Sequence, residues 1–115
     1  MEKLALVVDA NYNVSETGVS LEELQAGVNG WIEAVDINEN LIMWVNEEFL
    51  LRNEPEPNAI GTVFFATVGG NYDIQGNVVF TGGTDEDGDT LGLTEENARM
   101  IRNLASAGAN LRALA

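Results

Sequence analysis

Residues 30 to 46 read G-W-I-E-A-V-D-I-N-E-N-L-I-M-W-V-N, two runs rich in Ile, Val and Trp on either side of N-E-N. Branched and aromatic residues suit a pleated surface, and a short polar break between two such runs predicts an antiparallel hairpin. Strand side chains alternate between faces. Pairing Ile37 with Leu41 therefore sets Val35 opposite Met43 and Glu33 opposite Val45. One face then carries Trp31, Glu33, Val35, Ile37, Leu41, Met43 and Val45, with Glu33 as its odd member; the other carries Ile32, Ala34, Asp36, Ile42, Trp44 and Asn46.

The remaining segments read as follows. K-L-A-L-V-V-D, residues 3 to 9, is a short apolar run ending at a polar D-A-N-Y-N segment, and predicts a first, buried strand. Ser20 predicts a helix N-cap, S-L-E-E fits a capping box, and the helix over Leu21 to Val28 sets Leu21, Leu24, Gln25 and Val28 on one side. Residues 46 to 58 form a polar connection in which Pro55 and Pro57 forbid a continuous helix. Asn58 can cap the next segment. Residues 59 to 68 mix strand-like composition with a helical recurrence of Ile60, Val63, Phe64 and Val68, and the recurrence favours a helix. I-Q-G-N-V-V-F-T-G-G predicts a last strand. Thr94 then caps a helix from Glu95 to about Ala107, with a Glu95–Arg99 pair and a buried stripe of Ile101, Leu104 and Ala105. The order β-α-β-β-α-β-α defines a single α+β domain over residues 1 to 115, a mixed or antiparallel sheet layer packed by helices, with a ferredoxin-like arrangement as one form.

Charge bounds the partners. The chain has 19 acids, 5 bases and no histidine, a net of -14. All 19 acids fall at or before Glu96 beside only Lys3 and Arg52, giving -17 for residues 1 to 96; Arg99, Arg102 and Arg112 give the last 19 residues +3. A field of that sign repels nucleic acid and anionic membranes and attracts basic proteins. The opening segment has too short an apolar run for a signal peptide or membrane span, so the expected location is the cytoplasm.

At W-I-E-A-V, M-W-V-N-E-E, P-N-A-I-G and N-V-V-F-T-G-G the chain resembles a family of short phage, mobile-element and bacterial proteins catalogued as a domain of unknown function, family 3846. The resemblance runs from about Gly30 to Gly83. It implies a helix after Asn58 and a phage or mobile-element origin, and it carries over no catalytic residue.

Without histidine or cysteine there is no imidazole base, no Ser-His-Asp triad and no thiolate chemistry. Lys3 is the only lysine, which disfavours a Schiff base. Carboxylates remain, and Glu33 with Glu47 or Glu48 is the one pairing suited to a small acid–base enzyme. Asp85, Asp87, Asp89 and Glu96 occupy positions 1, 3, 5 and 12 of an EF-hand-like window, which makes calcium the one cofactor to consider. Against it, Thr90 stands where that loop needs Gly, Gly88 is two positions early, and Glu96 already belongs to a capped helix. The competing reading is a solvated Asp/Gly turn. Nineteen acids also approach the roughly 20 phosphates of a duplex as long as a domain of this size, a basis for DNA mimicry only when most share one surface. These points converge on a non-enzymatic acidic protein that binds a basic host protein and inhibits a nucleic-acid-binding or defence factor. The expected contact residues are Trp44, Glu47, Glu48, Asp85, Glu86, Asp87 and Asp89, with Trp44 offering a cation–π surface beside acids.

Overall fold

The computed structural model describes residues 3–48 and 56–114. Five strands and three helices follow in the order β1 (Ala5–Val8), β2 (Val14–Thr17), α1 (Leu21–Val28), β3 (Ile32–Asn38), β4 (Leu41–Asn46), α2 (Ala59–Ala66), β5 (Val78–Thr81) and α3 (Glu95–Ala113). The strands form one sheet in the order β2-β1-β5-β4-β3, antiparallel at every ladder. The α+β class stands as expected, with one strand, β2, added. Residues 49–55 of the expected polar connection lie outside the described residues.

Alternation along the strands divides the core in two. Leu6, Val8, Met43, Val45, Val78 and Phe80 point to one face and pack against Ile60 and Phe64 of α2 and Ala98 and Ile101 of α3. Ala5 and Val79 point to the other and meet Leu24 and Val28 of α1, with Ile32 and Trp44 at its margin. Phe64 and Phe80 meet with ring centroids 4.9 Å apart and a tilt of 58°, a favourable aromatic geometry.

The helix starts follow from their caps. Ser20 accepts from the Glu23 amide at 3.2 Å while Glu23 reaches back to the Ser20 and Gly18 amides, completing the expected capping box. The Ser20 hydroxyl donates to Glu23 at 2.7 Å. That bond, reinforced by the two amides, holds the Glu23 carboxyl below its usual range. Asn58 caps α2 through the Gly61 amide at 3.0 Å, and Thr94 caps α3 through the Asn97 amide at 3.1 Å. Asn58 is fully buried, and its Nδ2 also donates to the carbonyls of Val8 at 3.0 Å and Gly76 at 2.8 Å.

Several expectations are corrected. β2 was not among the expected elements; it forms because Asp9–Asn13 is a tight loop that turns the chain back onto β1. The Asp9 carboxylate accepts from the amides of Asn11 (2.8 Å) and Asn13 (2.9 Å), and Tyr12 closes the turn at φ 67°. In the β3–β4 hairpin, Val35–Met43 and Glu33–Val45 pair as expected, but Asn38 rather than Ile37 faces Leu41, since the ladder is irregular between Asp36 and Asn38. Ile60 and Phe64 of α2 are buried whereas Val63 is exposed, as is Val68 beyond the helix. Leu21 of α1 is likewise exposed. α3 continues past Ala107 and buries Ala98, Ile101 and Ala105, leaving Leu104 at the surface. The Glu95–Arg99 pair does not form; the ion pair among the described residues is Arg102–Glu16 at 2.7 Å.

Three outcomes test this packing. A Cβ on Gly27 of α1 would lie 2.5 Å from Val79 Cγ2 at the centre of the sheet, so Gly27→Ala lowers unfolding free energy by about 1–3 kcal/mol despite alanine's better helix propensity. Asn58→Asp keeps the acceptor for Gly61 but removes both donors and buries a carboxylate against two carbonyls; the expected loss is about 3 kcal/mol or more in urea denaturation. The lowered Glu23 pKa stabilises the fold above the ordinary carboxylate range, and that contribution disappears as pH falls through the lowered value. The stability gap between wild type and Glu23→Gln therefore narrows on acidification from neutral pH to about pH 3, read by chemical denaturation at each pH.

Candidate functional site

The acidic stretch after β5 is a second hairpin. The Gly82 amide donates to the Leu91 carbonyl at 3.0 Å, the Leu91 amide donates to the Gly83 carbonyl at 2.8 Å, and Thr84 bridges Thr90. At its tip the Asp85 Oδ1 accepts from the amides of Asp87 at 2.9 Å and Asp89 at 3.0 Å. The Asp85 amide donates to the Asp89 carbonyl, the Gly88 amide donates to the Asp85 carbonyl, and Gly88 sits at φ 83°. Position for position this is the loop of Asp9–Asn13, where Asp9 bonds the second and fourth following amides and Tyr12 takes the left-handed place of Gly88. The first residue of the calcium-like window thus directs an oxygen at its own loop. Among the described residues no three His, Cys, Asp or Glu side chains are grouped to hold a metal.

Close backbone contacts hold this hairpin against neighbouring segments. Gly83 lies against the Glu39 carbonyl in the β3–β4 turn, where a Cβ would overlap it, and Asn97 Nδ2 of α3 donates to the Asn40 carbonyl at 3.2 Å. Lys3 Nζ donates to the Thr90 carbonyl at 3.1 Å. The β3–β4 turn, the hairpin and the first turn of α3 therefore occupy one end of the molecule. They bring together seven exposed acids, Glu39, Asp85, Glu86, Asp87, Asp89, Glu95 and Glu96, none paired with Lys or Arg among the described residues. Glu95 and Glu96 also sit where the α3 dipole favours negative charge.

The expected contact residues are not all brought together. Thr81 stands opposite Ile42 near the start of β4, whereas Glu47 and Glu48 follow its far end. Six residues of strand, about 20 Å, separate Glu47 and Glu48 from the acidic hairpin. Trp44 is half-buried, its indole N–H donating to Thr81 Oγ1 at 2.9 Å. The exposed tryptophan is Trp31, 65% accessible, beside a depression of about 540 Å³ lined by Gln25, Ala26, Asn29 and Gly30. The Glu47 amide donates to the Trp31 carbonyl at 2.9 Å, which makes the two cross-strand neighbours at the Glu47 end of the hairpin. Glu33, the proposed partner of Glu47 or Glu48 in acid–base chemistry, is exposed on this edge strand.

Glu39 was missed by sequence reasoning. It lies far from Asp85 along the chain, and the only local signal is Gly83, whose missing side chain admits the turn. Lys3, Arg99 and Arg102 line an adjoining depression of about 670 Å³ over Leu4, Leu93 and Ala98, with Glu95 of the acidic end at its edge.

Neither a curated protein nor a solved structure matches the chain. A family model matches residues 1–106, and the chain belongs to that family, described as Domain of unknown function (DUF3846).

Proposed function

We propose that this protein is a non-enzymatic, acidic interaction module that binds a basic surface of another protein through the end formed by the β3–β4 turn, the 84–90 hairpin and the start of α3. The observation that carries the reading is the gathering of seven exposed carboxylates, unpaired with Lys or Arg among the described residues, on segments that meet at Gly83 against Glu39 and at the Asn97–Asn40 bond. A tied surface loses little conformational freedom on binding, so more of the electrostatic attraction appears as affinity. The net charge of -14 adds long-range steering of a positive partner.

The finer form is a protein of phage or mobile-element origin, acting in the host cytoplasm, that occupies the nucleic-acid-binding face of a host or defence factor. It rests on charge and on the family resemblance. Mimicry of a long duplex is less well supported than recognition of a compact basic patch. Seven acids share this end, while Asp9, Glu47, Glu48 and Glu56 belong to the opposite end of the sheet.

Capture of partners from host lysate at rising ionic strength tests the reading. Binding is expected to weaken on the order of tenfold or more between low and physiological salt. The triple variant Glu39→Lys, Glu86→Lys, Asp87→Lys is expected to lose capture while keeping its fold, and Glu47→Lys with Glu48→Lys at the far end is expected to retain it. Capture insensitive to both salt and the triple reversal sinks the proposal. A rise in melting temperature on adding millimolar calcium would instead favour a metal role for Asp87, Asp89 and Glu96.

A further inference from the structure

β3 ends the sheet on the side away from β2, and no strand lies beyond it. The Glu47 amide donates to the Trp31 carbonyl, so these two form a hydrogen-bonded pair, and such pairs alternate along an antiparallel ladder. With Glu33 opposite Val45 and Val35 opposite Met43, the backbone groups of Glu33 and Val35 turn toward β4. Those of Ile32, Ala34 and Asp36 turn outward, and no other strand or loop among the described residues pairs with them. The ladder is irregular between Asp36 and Asn38, which ends the regular edge at Asp36. Residues 30 to 48 hold five acids and no base, and two of the acids, Glu33 and Asp36, are exposed on opposite faces of this strand. Acids on an edge repel a like strand, which blocks pairing between copies, and complement a basic one. β2, the other edge, has four residues, and its Glu16 is already held by Arg102 at 2.7 Å.

We infer that the outer edge of β3 docks an extended basic segment of a partner protein, which joins the sheet antiparallel to β3. The inference rests on the proposed recognition of a basic protein and specifies the segment recognised. Backbone bonds to Ile32, Ala34 and Asp36 hold the segment whatever its sequence, and side chains at alternating positions select it. Basic residues face Asp36 and Glu33, three positions apart and so on opposite faces. A third, two positions further on, meets the exposed Trp31 and the depression of about 540 Å³ beside it. Apolar residues face the half-buried Val35 and Ile32, and a small strand former faces Ala34. In chain order the complementary segment is R-V-T-R-V-R.

Titration calorimetry with a synthetic R-V-T-R-V-R peptide tests the inference, with a dissociation constant expected on the order of 10–100 µM at low salt. In the unbound protein the amides of Ile32, Ala34 and Asp36 are expected to exchange rapidly with solvent, and to slow when peptide is added. N-methylating the Thr and the second Val of the peptide removes two ladder donors and is expected to weaken binding about tenfold or more. Ala34→Pro removes an outward N–H that the fold does not use, and is expected to abolish binding with the circular dichroism spectrum kept. Glu33→Arg with Asp36→Arg is expected to lose this peptide and to bind E-V-T-E-V-R, which wild type ignores. Trp31→Ala is expected to weaken binding about threefold. Slow exchange of the three amides in the unbound protein, absence of peptide binding, or binding indifferent to N-methylation overturns the inference. Loss of peptide binding in Glu86→Lys with Asp87→Lys places the peptide on the acidic end and overturns it as well. Each of these results leaves salt-sensitive capture of a basic partner standing. Capture insensitive to salt and to reversal of Glu39, Glu86 and Asp87 sinks that broader reading, and the exchange and N-methylation results do not depend on it.

Discussion

The amide side chain of Asn58 is the joint on which the two-layer packing depends. At zero exposure it must satisfy both donors and its acceptor within the protein, and it does so with the Val8 carbonyl, the Gly76 carbonyl and the Gly61 amide. One group thereby fixes the end of β1, the turn before β5 and the first turn of α2 relative to each other. Asparagine alone among small side chains combines two N–H donors with a carbonyl at that geometry; aspartate lacks the donors and serine has too few. With those three segments held, Phe64 reaches Phe80 and the larger core closes.

The helices were legible because each start is written in chemistry that acts within four residues. Ser20, Asn58 and Thr94 each cap the helix expected of them, and α1 begins and ends as read. β2 was not legible for an instructive reason. Its loop, D-A-N-Y-N, works like D-E-D-G-D, which was recognised as a turn by its glycine. Tyr12 holds the left-handed position instead, and no local rule favours tyrosine there. α3 misled in a different way. It has two apolar stripes, and periodicity cannot say which the core takes, so Leu104 was assigned inward where Ala98 goes. Strand order lies beyond local patterns altogether, since Leu6 pairs with Phe80 across most of the chain.

Acids were visible in the sequence as positions and invisible as a group. The hairpin at 84–90 was singled out, but its neighbours turned out to be Glu39, Glu95 and Glu96 rather than Glu47 and Glu48. The antiparallel register of β4 with β5 decides this by setting Thr81 beside Ile42. The two tryptophans differ in exposure for a similar reason. Trp44 lies beside β5 with its indole bound to Thr81, while Trp31 precedes an edge strand and has only one neighbouring strand to cover it. Concentrating like charge at one end carries a self-repulsion, which the dipole of α3 and the Lys3 contact partly offset.

Tyr12 ties the first hairpin to the last helix. A non-glycine residue at positive φ needs compensation, and its ring finds it on α3, where Gly108 leaves room that a Cβ would occupy. Arg112 Nη1 adds a bond to the Asn11 side chain at 2.7 Å. The turn of the first hairpin is therefore completed by residues about a hundred positions later. Sequence-adjacent strands of this kind usually zip early, before distant contacts form. Here the β1–β2 turn takes part of its support from the last helix, so the stability of the hairpin and the docking of α3 depend on each other.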